Sequence, residues 1–327
     1  MLDEAQHWIQ SHYPYWDRKG GRDHIWLVTH DEGSCWIPNS IRPSHILSHW
    51  DRMDENHTAW THYVPDTYSV EYQHDLWLPK GHLRRLTKGP CFDPKKDLVV
   101  PALHSIVTYG HSPLLGVPAE ERTYLAIFKG RMQFFSQRYS RQTRQRIAKR
   151  AWSEDWEHKH RILIMDHGNK TEQSYSELMA TSIFCLAIIG DGWTTRVEDA
   201  IVHGCIPVLL MDNVVPVFGN IIKEEDVYVR VAFEDAERLP EILKAIPESE
   251  ILRKQRNIRK VWRRYAWTSV KWQQERLQQV MEHNWEQLKD DPNGTEREPQ
   301  REAPFDPAKG DALQTLMEWL YGRMSAE

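Results

Sequence analysis

Residues 182–216 decide the fold of this chain, and they read SIFCLAIIGDGWTTRVEDAIVHGCIPVLLMDNVVP. The continuous apolar run Ile183–Ile189 predicts a strand that is buried on both faces. A Gly-Asp-Gly turn follows it, and the residues from about Arg196 to His203 then predict a short helix. A second apolar run over residues 206–210 predicts another strand. Strands that alternate with helices in this way indicate a parallel sheet in an α/β protein.

The turn after the first of these strands is a candidate anion site. Gly190, Asp191 and Gly192 leave backbone N–H groups available at the start of the helix, with the guanidinium of Arg196 beside them. Such a site suits the diphosphate of a nucleotide. Asp199 follows Arg196 by about one helical turn, so both can face one ligand, and its carboxylate would accept hydrogen bonds from ribose hydroxyls. Many doubly wound sheets bind nothing at such a turn, so the pattern alone leaves both interpretations open.

The same segment resembles the nucleotide-sugar signature of the exostosin-like glycosyltransferases (glycosyltransferase family 47). Further blocks resemble this family in the same order, and together they cover about residues 13–218. Lys129-Gly130 stands where the family has Arg-Gly, which puts one phosphate or sugar contact in doubt. The other blocks are Pro14-Tyr15-Trp16, Gly20-Gly21-Arg22-Asp23-His24, Thr29-His30-Asp31-Glu32-Gly33, Cys91–Pro101, Phe128-Lys129-Gly130-Arg131, and Tyr139-Ser140-Arg141 with Arg144.

The resemblance implies an α/β fold with two Rossmann-like domains facing a cleft (GT-B type). We expect an N-terminal, acceptor-side domain over residues 1–155 and a C-terminal, nucleotide-sugar-binding domain over residues 156–287. Residues 288–327 would form a linker and a C-terminal helix. The apolar run Tyr124–Phe128 predicts a strand of the N-terminal domain. Ligands bind beyond the carboxyl ends of the strands in such sheets, which is where the glycine turn falls.

The resemblance also implies an inverting transferase that moves a sugar from a UDP-sugar to a hydroxyl of a glycan or polysaccharide. The UDP-sugar is the donor substrate, and no separate cofactor is expected. Arg196, the helix N-terminus and Arg144 would neutralise the leaving diphosphate. Lys129, Gly130 and Asp199 would belong to the same nucleotide-sugar site. An Asp-x-Asp metal motif is missing from the expected strand context, so we expect the reaction to proceed without metal.

A general base must remove the proton of the acceptor hydroxyl, and it should come from the N-terminal domain. His30 and Asp31 follow a predicted strand within a block that resembles the family, so they are the first catalytic candidates. The competing interpretation is that these two residues only hydrogen-bond the turn after that strand. Glu32 and the acidic residues of the long polar segment over about residues 51–96 stay open as alternatives.

Composition limits the range of functions. The chain has 327 residues, 40% of them hydrophobic, and a net charge of −5, which excludes disorder and gives no reason to expect nucleic acid. A dinucleotide oxidoreductase is excluded because Gly-x-Gly-x-x-Gly does not follow an N-terminal strand. Two functions besides an active transferase stay open: a catalytically weak exostosin-like subunit in a hetero-complex with another glycosyltransferase, and a glycan-binding module.

The cellular location and the cysteines are linked, because disulfides form in oxidising compartments. The residues after Met1 do not have the pattern of a signal peptide, so we expect neither a signal peptide nor a membrane anchor within this stretch. Members of the resembled family usually lie in the Golgi lumen behind an N-terminal anchor, so we expect the Golgi lumen for a fragment and the cytoplasm for a complete chain. Cys35 and Cys91 lie in loop-like stretches and could pair in a lumen. Cys185 and Cys205 lie in or beside predicted buried strands and are expected to be small core residues.

Overall fold

The computed structural model describes residues 2–53, 91–117, 121–136, 139–169, 171–190, 192–289 and 310–324. Within these ranges, none of the helices has the length and hydropathy needed to cross a bilayer. The strands are β1 (Ile25–Val28), β2 (His45–Ser48), β3 (Asp51–Arg52), β4 (Leu98–Val99), β5 (Tyr124–Lys129), β6 (Ile162–Met165), β7 (Ser182–Ile188), β8 (Ile206–Leu210), β9 (Val214–Val215) and β10 (Val229–Arg230).

Helices surround these strands, and short 3₁₀ turns connect several of them. The helices are α1 (Leu2–His12), α2 (Tyr15–Lys19), α3 (Thr143–Glu154), α4 (Trp156–His160), α5 (Tyr175–Ala180), α6 (Arg196–Val202), α7 (Glu224–Val227), α8 (Leu239–Lys244), α9 (Glu248–Val261), α10 (Lys271–Lys289) and α11 (Ala312–Met324).

The first sheet is parallel, with the order β1-β2-β4. Its middle strand, β2, is largely buried. Below it lies a small apolar core that includes Trp16, Val28, Ile41 and Ile46. The carboxyl ends of the three strands therefore lie along one edge of the sheet, because parallel strands share one direction.

The second sheet is also parallel, with the order β10-β8-β7-β5-β6. Strands β6, β7 and β8 are apolar and mostly buried, as expected where helices cover both faces. The chain runs outward to one side of β5 through β6, and to the other side through β7, β8 and β10. Such an order creates a switch point between β5 and β7, which is where ligands bind in open α/β sheets. The predicted α/β class with two parallel, Rossmann-like sheets is confirmed.

The sheet membership of β5 corrects one sequence prediction. The run Tyr124–Phe128 does not join the predicted N-terminal domain, because it forms the strand between β7 and β6 in the second sheet. A domain boundary between residues 155 and 156 would separate β5 from its paired neighbour β6. The boundary between the sheets therefore lies before residue 124. An apolar pattern indicates a buried strand but does not tell which of two sheets it joins. The division into domains is otherwise still a prediction.

All four cysteines are paired. Cys35 is bonded to Cys91 with a Cα–Cα distance of 4.8 Å, in agreement with the sequence expectation. The prediction that Cys185 and Cys205 are only small core residues is wrong, because they form a second disulfide with a Cα–Cα distance of 5.9 Å. Both are buried, and the parallel pairing of β7 with β8 brings them together.

Two further contacts join the N-terminal sheet to the rest of the molecule. Strands β3 and β9 pair in an antiparallel ribbon. Helix α11, which agrees with the helix predicted near the C-terminus, carries Trp319, and its ring lies 5.9 Å from the ring of His45. The predicted linker lies mostly outside the described residues.

Candidate functional site

Arg196 lies at the switch point of the second sheet, at the start of helix α6. Its Nη2 donates to the carbonyl oxygen of Lys129 at 2.8 Å, and its Nη1 donates to Oγ1 of Thr194 at 3.1 Å. The guanidinium lies 4.7 Å from the ring centre of Phe128. A Cβ atom on Gly130 would lie 2.1 Å from Nη2, so a larger residue at this position would displace the guanidinium. The structure thus brings together Lys129, Gly130 and Arg196, as the sequence predicted.

Asp199 lies one turn further along α6 and is buried. Its Oδ2 accepts a hydrogen bond from Oγ1 of Thr195 at 2.9 Å and a longer one from the hydroxyl of Tyr175 at 3.5 Å. Burial raises the pKa of Asp199, while the charges of His104 and Arg196 and the Thr195 bond limit this rise. The carboxyl group is therefore held in one orientation beside Arg196.

The glycine turn packs against the loop that follows β1. The backbone N–H of Trp193 donates to the carbonyl oxygen of Asp31 at 2.7 Å. A Cβ atom on Gly192 would lie 2.1 Å from that same backbone oxygen, so this position requires glycine. Asp191, the middle residue of the predicted turn, lies outside the described residues. The predicted base candidate Asp31 therefore lies directly against the predicted nucleotide turn.

Arg144 lies behind the switch point and is buried. It donates to the carbonyl oxygens of Ile188 at 2.7 Å and Arg131 at 3.1 Å, and to the hydroxyl of Tyr139 at 2.6 Å. Tyr139 and Arg144 both approach Gly190. Because these donors are directed at protein oxygens, Arg144 connects the ends of β5 and β7 through hydrogen bonds. Its predicted contact with a phosphate stays a prediction.

The backbone just before α3 adopts an uncommon conformation. Ser140, Arg141 and Gln142 have φ angles of 53°, 49° and 62°, in the left-handed region that non-glycine residues rarely adopt. Each such residue costs about 1–3 kcal/mol and persists only where the surroundings enforce it. Here the hydroxyl of Ser140 donates to the carbonyl oxygen of Ile189 at 2.7 Å, which ties the strained turn to the end of β7.

Two histidines of the first sheet face the glycine turn, and neither was predicted from the sequence. The ring of His49 lies 5.6 Å from that of Trp193, and the ring of His104 lies 6.2 Å from it. His49 follows β2, and His104 follows β4 by a few residues. The sequence feature that could have identified both histidines is their position after a strand. The carboxyl ends of parallel strands meet at one edge of the sheet, where ligands bind.

Glu198 was likewise not predicted from the sequence, and it connects the two sheets. It is buried, and its Oε1 accepts a hydrogen bond from the backbone N–H of Ala102 at 3.3 Å. Its Oε2 has no hydrogen-bond partner within the described residues. The side chain of Trp193 lies close enough to Glu198 to lower its pKa. The distance and angle between Nε1 of Trp193 and Oε2 of Glu198 nevertheless do not qualify as a hydrogen bond. Burial is the main cause that raises this pKa to about 8, and Asp199 adds to it.

These contacts form one continuous region, which we call the intersheet seam. In it, the carboxyl ends of the first sheet meet the glycine turn and the start of helix α6 from the second. A cleft between two sheets is where the predicted GT-B type fold places its substrates. The seam consists of Asp31, His49, Ala102 and His104 on one side and Gly192, Trp193 and Glu198 on the other.

The predicted base candidate His30 lies beside the seam. The residue is exposed overall, but partial burial of its imidazole lowers its pKa. Its Nδ1 accepts a hydrogen bond from the backbone N–H of Glu32 at 3.0 Å. In the neutral ring the proton is therefore on Nε2, which is then a donor. This tautomer does not suit proton removal.

The raised pKa of Glu198 has a measurable effect on stability. The folded state holds this proton up to about pH 8, whereas an unfolded chain loses it near the ordinary value of 4.5. We therefore expect the free energy of unfolding to fall as the pH rises from about 4.5 to 8, by an amount on the order of a few kcal/mol. The variant Glu198→Gln should lack this component. Thermal unfolding of both proteins across this range checks the prediction, and parallel pH profiles would contradict it.

The fold and the site together define a doubly wound α/β protein with a candidate anion site at its switch point. The chain belongs to the exostosin GT47 domain family, whose sequence profile matches residues 1–246. The family predicted from the sequence motifs is thus confirmed.

Several curated relatives come from plants. The chain is 29% identical over 266 residues to a probable glucuronosyltransferase of Oryza sativa subsp. japonica, covering 78% of this chain and 55% of the relative. It is 26% identical over 268 residues to the probable beta-1,4-xylosyltransferase IRX10 of Arabidopsis thaliana, with coverages of 78% and 55%. The chain thus spans about half the length of these relatives.

Similarity to solved structures is weak. One example is the pneumococcal O-GlcNAc transferase GtfA in complex with UDP and GlcNAc, with 13% sequence identity and a TM-score of 0.37. The match covers 81% of this chain and 57% of that chain. A similarity this low supports no conclusion about the present protein.

Proposed function

We propose that this chain binds a UDP-sugar and transfers the sugar, with inversion, to a hydroxyl of a glycan or polysaccharide. The observation that carries the proposal is the arrangement of Arg196, Gly130 and Asp199 at the switch point of the second sheet. Arg196 is held at its Nη1 and Nη2 atoms and remains partly exposed. A guanidinium with this geometry binds the diphosphate, and Asp199 accepts from the ribose hydroxyls.

The donor class follows from the family rather than from the site. The relatives are described as probable glucuronosyl- and xylosyltransferases. UDP-glucuronic acid and UDP-xylose are therefore the first donors to test. Release of UDP from a panel of UDP-sugars is the direct experiment, and failure to turn over or bind any of them would contradict the proposed function.

The charge on the leaving diphosphate is balanced by protein groups in this proposal. Arg196 and the N–H groups at the start of α6 supply the balancing positive charge, and Lys129 lies beside them. Among the described residues, no group of three or more His, Cys, Asp or Glu side chains could hold a metal ion. The proposal does not rest on that finding.

We accordingly expect UDP release to continue in excess EDTA, because positive charge at the site does not depend on a cation. The measurement is the rate of UDP release with and without chelator. A rate that disappears in EDTA and returns only with Mn²⁺ would contradict metal-free transfer. Stimulation by several different cations would be compatible with it, since cations can also speed product release.

The disulfides support an oxidising compartment for this chain. Cys35–Cys91 and Cys185–Cys205 are both formed, and such bonds are rare in a reducing cytosol. The Golgi lumen is the location that agrees both with disulfide formation and with the usual location of the family. A hetero-complex with another glycosyltransferase belongs to the competing proposal of a catalytically weak subunit. In that case the chain would bind UDP but turn over a donor only with its partner present.

A further inference from the structure

We infer that His49 is the general base of the transfer reaction, in place of His30 or Asp31. The inference rests on the proposed function, because it takes the donor to lie at Arg196. His49 belongs to the first sheet, directly after its middle strand β2. Its ring contacts Trp193, which lies between the glycine turn and helix α6. It therefore faces the donor site across the intersheet seam, as a base must in an inverting reaction.

The hydrogen bonding of His49 fixes its tautomer. Its Nδ1 lies 3.0 Å from the carbonyl oxygen of Val100, and a carbonyl can only accept. Nδ1 must therefore carry the proton, so that Nε2 of the neutral ring carries the basic lone pair. Val100 is itself fixed, because its N–H donates to the carbonyl oxygen of Ser48 at 2.8 Å. The ring of His30 has the opposite tautomer, with its Nδ1 lone pair already accepting a hydrogen bond.

The surroundings keep the imidazole of His49 neutral. Burial is the first cause that lowers its pKa, and the positive charge of His104 lowers it further, while the bond to Val100 opposes them. Trp193, which packs against the ring, does not titrate. A pKa below the ordinary value of 6.5 leaves the base unprotonated at neutral pH.

Proton transfer to His49 accompanies the displacement at the sugar. The acceptor oxygen forms a bond to C1 of the donor sugar while its proton passes to Nε2 of His49. The bond between C1 and the β-phosphate oxygen breaks, and its electron pair leaves with UDP, whose charge is stabilised by Arg196. The imidazolium then returns its proton to solvent after the product departs.

The test compares His49→Ala with a matched control at the start of β2, the strand that His49 follows. His45, at the opposite end of β2, also donates from Nδ1 to a backbone carbonyl, that of Lys96 at 2.9 Å. We expect His49→Ala to lower kcat about a hundred- to ten-thousandfold while the Kd for UDP changes little. His45→Ala should stay near wild type. The donor used is whichever of UDP-xylose and UDP-glucuronic acid the wild-type protein turns over faster.

Two further readouts separate a base from a residue that only supports the fold. Added imidazole should partly restore turnover in His49→Ala, and the acid limb of the wild-type kcat/KM profile should lie below pH 6.5 and be absent in the variant. Near-normal turnover in His49→Ala would overturn the inference. So would a parallel loss of UDP binding, an equal loss in His45→Ala, or a large loss of kcat in Asp31→Asn or His30→Ala instead. A wild-type protein that neither binds UDP nor turns over a donor would instead refute the proposed function.

Discussion

Replacing Arg196 by alanine should weaken UDP binding about ten- to a hundredfold, because a charge-assisted hydrogen bond is worth about 1.5–3 kcal/mol. The structure places this guanidinium against the ring of Phe128 and the carbonyl oxygen of Lys129, at the switch point of the second sheet. It is therefore oriented before a ligand arrives, and little ordering opposes binding. Isothermal titration calorimetry with UDP measures the change.

A matched control excludes a general effect of removing an arginine. Arg238 lies on the surface with a side chain that is 69% exposed, and it pairs with its near neighbour Asp235. Surface pairs of this kind contribute about 1 kcal/mol or less. Arg238→Ala should therefore bind UDP like the wild type. Equal affinities in Arg196→Ala and Arg238→Ala would contradict the assignment of the diphosphate to Arg196.

Replacing Gly192 by alanine should lower turnover more than tenfold, since one added methyl group cannot fit. The new Cβ would lie 2.1 Å from the carbonyl oxygen of Asp31, which is backbone and cannot rotate away. The turn must then separate from the loop after β1, and the hydrogen bond from Trp193 to Asp31 is lost with it. Overpacking of this kind costs about 1–3 kcal/mol in stability as well.

Gly168→Ala is the matched control for this change. A Cβ at Gly168 would meet nothing within 4 Å, so the same substitution should leave turnover and melting temperature close to wild type. Measuring UDP release and thermal unfolding for both variants separates a local effect at the seam from a general loss of fold. Normal turnover in Gly192→Ala would show that close contact between the two loops is not needed.

The central strand–turn–helix–strand segment was predictable because its local signals agree with one another. The apolar run predicted over 183–189 appears as β7, and the helix predicted from Arg196 appears as α6. The strand predicted over 206–210 matches β8. Here length, apolar pattern and glycine position all favour the same elements, and the family motifs name the same residues.

Several features depend on contacts between distant parts of the chain. The pattern of Tyr124–Phe128 indicates a buried strand, yet nothing in it chooses between two sheets. Cys185 and Cys205 pair only because β7 and β8 are neighbours in the finished sheet. Glu198 gives no local signal, because a glutamate in the first turn of a helix is usually solvated. Its burial depends on Ala102, which is far away in the sequence.

A structure of the protein with UDP tests the central claim most directly. We expect the diphosphate oxygens at about 3 Å from the guanidinium of Arg196, beside the start of α6, and the ribose hydroxyls on the carboxylate of Asp199. UDP bound elsewhere on the molecule, or bound at this site without contact to Arg196 and Asp199, would contradict the proposed site.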